Sequence, residues 1–244
     1  MAAEAGAAGE ATSAGRWQTL ISGPVLDEEA KLIRTRLTGN LQTVATYNNS
    51  IDATSTDTLV LTGLAAIAER TAAEVRWKER ADTIRQLAYD VYSAVGSRGG
   101  KAFRETQTPF ERLRDAMDGA RVEVEIGDDP LQDLVDRSTM MIRIKQGSDW
   151  LRTQVSSDSQ LADADTQRDA VREASVLAAL AELVAQPGYD YSDEEEYHQM
   201  TADFVDAALG IRSAAEGNDF NAFQQSYKDL MKQCGVCHGR YQFQ

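Results

Sequence analysis

From Leu26 onward apolar residues return every three or four positions almost without interruption, and this pattern limits the fold more than any other feature. Only four prolines fall in 244 residues, which excludes the turn-rich sandwiches and barrels and favours helices. The spacing predicts helices at about 26–48, 56–75, 78–97 and 102–118, then at about 130–155, 166–186, 193–215 and 219–240. Thr108-Pro109-Phe110-Glu111 and Ser192-Asp193-Glu194-Glu195 carry helix-start signals, Pro187-Gly188 a stop, and Gly127-Asp128-Asp129-Pro130 precedes the fifth helix. Val122–Ile126 alternates apolar and acidic residues; one isolated strand makes no sheet, so this is read as an extended linker. Residues 1–25 are rich in Ala, Gly and Ser and read as a disordered tail. The expected fold is all-α: two tandem antiparallel four-helix bundles at 26–119 and 130–244, joined by a linker at 120–129.

The two halves echo each other. Leu64-Ala65-Ala66-Ile67-Ala68-Glu69 returns as Leu177-Ala178-Ala179-Leu180-Ala181-Glu182, and Phe103, Phe110 and Leu113 return as Phe220, Tyr227 and Leu230. This pattern is that of an internal duplication. In the second alignment Cys234 falls opposite Met117 and His238 opposite Arg121.

The net charge of −14 leaves no basic stripe of the kind a nucleic-acid partner requires. No segment approaches the ~20 apolar residues of a membrane span. Residues 1–119 hold 14 basic and 16 acidic side chains, a net of −2, whereas residues 120–244 hold 11 and 23, a net of −12. That imbalance reads either as a solubilising surface or as a docking face for a basic partner.

Both cysteines and one of the two histidines lie in Cys234-Gly235-Val236-Cys237-His238. This is the sequence form of a c-type haem attachment site. On a helix, residues three and four apart share a face, so Cys234, Cys237 and His238 turn towards one flat ligand. The thiols add across the porphyrin vinyl groups as thioethers and the imidazole reaches the iron from the same side. Gly235 and Val236 are small enough to let a macrocycle approach. A zinc site would need a fourth ligand, and the only other histidine is His198, with no further cysteine. A thioredoxin-like pair would need a strand–helix context that the pattern lacks.

The motif lies near the C-terminus, on the last helix of a four-helix unit, and runs on into Gly239-Arg240-Tyr241. In this the chain resembles the class II c-type cytochromes, the cytochrome c′ family and its low-spin relatives. The family's arginine usually sits four residues past the histidine; here that position is Gln242, with Arg240 two residues earlier. The resemblance covers residues 130–242, and reaches 26–118 only through the duplication. It implies one covalent haem c held by Cys234 and Cys237, with His238 on the iron. It also implies a residue across the iron on the unit's first helix, four residues after an arginine, which matches Arg137 and Met141. Periodicity adds to this, since Leu134, Met141, Ser148 and Val155 repeat at seven with Met140 to one side. A sulfur ligand there would make the iron six-coordinate and raise its potential; in the cytochrome c′ branch the distal face stays open to small gases.

His198, beside Glu194–Glu196, reads as an exposed histidine. No Ser–His–Asp set, phosphate loop or dinucleotide turn occurs, so the chain is not expected to be an enzyme. The expectation is a single-haem electron-transfer cytochrome. Gas binding is the alternative, and an interaction module built from the haem-free bundle is a third. A redox protein is the expected partner, a basic one if the acidic half docks it, and the family's habit implies homodimers. Thioether attachment places the protein in the periplasm, with the signal peptide absent from the sequence shown.

Overall fold

The computed structural model describes residues 15–241, and all regular structure among them is helical, with no strand. Its long helices are α1 (Gly23–Asn40), α3 (Ile51–Arg70), α4 (Ala81–Ala94) and α5 (Gly100–Met117), with the short α2 (Val44–Asn49) between the first two. After them come α6 (Leu131–Leu134), α7 (Arg137–Gln154), α8 (Asp158–Leu161), α9 (Ala164–Leu183), α10 (Glu195–Glu216) and α11 (Phe220–Tyr241). The chain divides into two compact units, with the boundary between Met140 and Met141. None of the helices is long and apolar enough to cross a membrane.

In the first unit α3 packs against α1 and α4, and α4 against α5. Arg36 on α1 pairs with Asp57 near the start of α3 at 2.7 Å, and Glu69 near its end pairs with Arg85 near the start of α4 at 2.8 Å. Contacts between the end of one helix and the start of the next are those of antiparallel neighbours. From Leu59 to Ala68 every residue of α3 is buried, so this helix is apolar all round because it is enclosed all round.

Residues 1–14 of the expected tail lie outside the described residues, and from residue 15 the chain departs from that expectation. Residues 15–20 are helical, and Trp17, Leu20 and Ile21 are at most 2% exposed. Three apolar side chains at i, i+3 and i+4 provide a packing stripe even in an Ala/Gly/Ser-rich context. Gly23 follows, and a Cβ there would fall 1.8 Å from the Glu74 carbonyl oxygen. The chain can enter α1 along this path only with glycine at that position.

The linker also belongs with the first unit. It stays irregular through 120–130, and the alternation shows in its burial: Val122, Val124 and Ile126 are half-buried between exposed Arg121, Glu123 and Glu125. The Gly127 N–H donates to Gln86 Oε1 at 3.0 Å, while Leu134 and Val135 are buried. The compact boundary therefore lies about ten residues beyond the expected linker. The expected fifth helix is broken at Val135-Asp136, because Asp136 caps α7 by accepting the Thr139 N–H at 2.9 Å and the Ser138 hydroxyl. Although burial opposes it, these bonds hold the Asp136 carboxyl below its ordinary value. The start signal at Thr108 is overridden, since Pro109 sits inside α5 and the Thr108 hydroxyl donates to the Arg104 carbonyl at 3.2 Å.

In the second unit α9 packs along α10 and α10 along α11, while α7 joins them through individual side-chain contacts. Arg143 and Gly147 of α7 meet Glu173 and Leu177 of α9; Gln167 of α9 reaches the Ala215 carbonyl of α10 at 2.7 Å. Gly210 of α10 meets Ser226 of α11, and the Tyr227 hydroxyl of α11 returns to the Ser148 carbonyl of α7 at 3.2 Å. Short connections and these registers make each successive long helix antiparallel to the last. The α10–α11 contact is tight, because a Cβ on Gly210 would lie 2.7 Å from Ser226 Oγ and 3.2 Å from its Cβ. Gly210→Ala is expected to cost about 1–3 kcal/mol by overpacking. It should appear as a lower urea midpoint at unchanged slope; an unchanged midpoint would mean the crossing is slack.

Candidate functional site

The last helix, α11, builds the site. Phe223, Leu230 and Tyr241 are buried, while Tyr227, Cys234 and Cys237 are half-buried. These six fall on one stripe with steps of three and four residues, so both sulfurs turn towards the interior of the unit. His238 follows on the edge of the stripe and is exposed. Gly235 and Gly239 have nothing within 4 Å of a Cβ, and Val236 is 44% exposed. The helix is therefore packed on its cysteine face and open around its glycines.

Neither cysteine is in a disulfide. Burial pushes the Cys234 thiol above its ordinary value, and the neighbouring Cys237 adds to the shift. A thiol held protonated near neutral pH is a poor zinc ligand and a poor disulfide-exchange nucleophile. Cys234 and Cys237 are the residues that would hold a haem covalently, as thioethers. No cluster of three or more His, Cys, Asp or Glu able to hold a metal ion occurs among the described residues. Two thiols on one face with an imidazole beside them are a donor set that a haem would fit.

Cys237 packs against an aromatic cluster. Tyr191, Tyr197 and Tyr241 approach one another with ring centroids 4.7 to 6.1 Å apart, and Met200 and Ala185 complete the surroundings. The Tyr241 hydroxyl donates to Glu194 Oε2 at 2.9 Å, and Arg240 pairs with Glu196 at 3.5 Å. The acids that precede and open α10 thus clamp the turn of α11 that follows His238. Glu194, rather than Ser192, is the N-cap residue of α10. His198 is exposed and bonds through Nε2 to the Ser192 carbonyl at 2.8 Å, bracing this loop. The tyrosine cluster was not foreseen; the spacing of Tyr191, Tyr197 and Tyr241 gives no helical periodicity, and only the antiparallel return of α11 assembles it.

The first helix of the unit meets the site at Tyr227, which bonds Ser148. Desolvation raises the Tyr227 hydroxyl above its ordinary value, with Arg152 opposing and Asp149 and Cys234 reinforcing the shift. Because α7 and α11 are antiparallel, this contact sets a register. Seven residues on from Tyr227 is Cys234, and seven back from Ser148 is Met141. Both lie about 10 Å along their helices at ~1.5 Å per residue, so Met141 sits level with Cys234. Met141 is half-buried, whereas Met140 is fully buried. The sequence stripe placed Met141 inside and Met140 to one side; packing reverses their order of burial.

Ser148 and Val155 keep to the predicted inward face, and Ile144, Leu151 and Arg143 are buried with them. The Arg143 guanidinium meets Glu173 Oε2 at 2.7 Å, with side-chain exposures of 7% and 8%. Arg172 bonds the other carboxylate oxygen at 3.0 Å. Despite its burial, these two cations hold the Glu173 carboxyl below its ordinary value.

A scan of family models, a search of characterised proteins and a search of solved structures each return no match to this chain.

Proposed function

We propose that the second unit is a c-type cytochrome carrying one covalent haem, with Cys234 and Cys237 as thioether ligands and His238 on the iron, and that it transfers electrons. The observation that carries this reading is the stripe of α11: both thiols face inward three residues apart, and His238 follows beside an open helix surface. When bound, the group supplies a one-electron iron couple. The chain's own part is to orient and enclose it. Tyr191, Tyr197 and Tyr241 keep water from Cys237, and the Glu194–Tyr241 bond steadies the turn beyond His238.

The duplication belongs to this reading. The matching segments Leu64–Glu69 and Leu177–Glu182 both lie in the most enclosed helix of their units, α3 and α9. In the first unit the equivalents of the haem residues are Met117 and Arg121, neither able to form a thioether, so one haem per chain is proposed. Thioether attachment also makes a periplasmic location part of the proposal; intact haem-bearing chain in a cytoplasmic fraction would contradict it.

Met141 decides between electron transfer and gas binding. Its register level with Cys234 supports a sulfur ligand; its half-burial favours the open-face alternative. If the thioether binds, both oxidation states will be six-coordinate and low-spin, and carbon monoxide will bind slowly. Met141→Leu nearly conserves volume and should cost under about 1.5 kcal/mol. It should nevertheless shift the iron towards high spin, lower its potential and admit carbon monoxide. A five-coordinate native protein would replace electron transfer with gas binding, and low spin that persists in Met141→Leu would assign the distal bond to another residue.

A further inference from the structure

The acidity of the second unit is unevenly placed. Helix α10 carries one basic and five acidic residues, a net of −4, and α9 two and four, a net of −2. Helix α11 reverses this, with three basic residues and one acidic, a net of +2. The haem-attachment motif thus lies on a basic helix within the half of the chain that is net −12.

Those charges are organised. Opposite the inward cysteine stripe, Lys228, Lys232, Gly235, Val236 and Gly239 follow one another on the solvent face of α11. Lys228 and Lys232 are exposed, four residues apart and on one side, and neither forms an ion pair among the described residues. The acid between them, Asp229, is engaged by the Gln225 amide at 3.1 Å. Val236 at 44% and Met231 at 43% are large apolar side chains left exposed beside them. Across the seam marked by the Tyr227–Ser148 bond lies Arg152, paired with Asp149 at 3.4 Å. Apolar contact area flanked by the two unpaired lysines, on the helix that bears the cofactor residues, has the composition of a recognition surface.

We propose that the solvent face of α11, centred on Lys232 and Val236, is the docking surface for an acidic redox protein. The proposal rests on the cytochrome reading for its purpose, though not for its binding chemistry. It reverses the expectation drawn from total charge, because a partner within contact range feels local charge. The screening length is about 10 Å at 0.1 M salt, so acids outside α11 and its neighbour α10 are largely masked there.

Poly-L-glutamate is the probe, titrated calorimetrically into the full chain at ~0.1 M salt. The wild type should bind it, and Lys228→Glu/Lys232→Glu should weaken binding about tenfold or more. Lys31→Glu/Lys101→Glu changes net charge equally in the first unit, at side chains 70% and 85% exposed, and should leave affinity within about twofold. Equal loss in both variants, or no binding to the wild type, would overturn the proposal. In the haem-loaded chain, oxidation by ferricyanide should slow in the α11 variant more than in the control. A chain found to hold no haem would sink the cytochrome reading and leave the calorimetric result standing. A haem-loaded chain with no preference between the variants would sink the docking face alone.

Discussion

A Cys234→Ala/Cys237→Ala chain, produced beside functional haem-attachment machinery, is expected to retain no haem after acidified organic extraction, whereas the native chain retains one per polypeptide. The effect is all-or-none because two covalent bonds disappear and the chain has no other cysteine to replace them. Single variants should keep one thioether, and the absorption band of the denatured haemochrome should shift as one vinyl group regains conjugation. Circular dichroism should remain helical in all three variants, since Cys234 and Cys237 are only half-buried and the unit's enclosed helix is α9. Haem that stays attached in the double variant would remove the central claim of the proposed function. Two haems on the native chain would remove the assignment of the first unit as haem-free.

Breaking the Arg143–Glu173 pair should produce the largest loss of stability. Glu173→Ala leaves Arg143 buried without its carboxylate, and removing one member of a buried pair costs about 3–5 kcal/mol. Arg172 keeps Asp169 at 2.8 Å, so the exposed consequence falls mainly on Arg143. Replacing both partners, as in Arg143→Met/Glu173→Leu, should instead recover most of that loss, since Arg143 is no longer a buried charge and Arg172 keeps Asp169. The pH dependence has a definite sign. The folded-state value of Glu173 is depressed below the ordinary value of about 4.3. Its contribution is therefore complete above that value and fades as pH falls through the lower folded-state value. The gap between wild type and Glu173→Ala, measured by urea unfolding, should be constant from neutral pH down to about 5 and narrow below it. A gap that widens towards acid would mean that the pair does not hold Glu173 ionised.

Helix positions were legible in the sequence because apolar spacing reports them directly, and Ser148 and Val155 of the expected stripe are buried as read. What escaped has identifiable causes. Trp17, Leu20 and Ile21 form too short a stripe to stand out in a segment dominated by alanine and glycine. Asp136 ends one helix and starts another through a side-chain bond that periodicity does not register. Arg143 and Glu173 look like solvent-facing residues until two helices bring them together. Met140 and Met141 are only ~100° apart on a helix, and which one turns deepest depends on the neighbours rather than on spacing. The cysteine motif is visible in the sequence because its residues lie in one pentapeptide, and the structure adds only that Cys234 and Cys237 share the half-buried side of α11 while His238 is exposed. The tyrosines around Cys237 are not visible in this way, because they come from a loop and two helices.

The glycines of α11 bear on the order of assembly. Each costs a helix interior about 1 kcal/mol relative to alanine, and Gly235 and Gly239 interrupt the segment where the helix buries least. Over its first half α11 is anchored by Phe223 and Leu230; beyond Leu230, Tyr241 is the only fully buried side chain. The terminal turns can therefore open while α7, α9, α10 and the start of α11 stay folded, at a free energy well below that of global unfolding. Under the proposed haem attachment, Cys234 to His238 would then be reachable as a loosened peptide on an otherwise folded unit, and closure of Tyr241 onto Glu194 would follow as the last step, latching the turn that carries the cofactor residues.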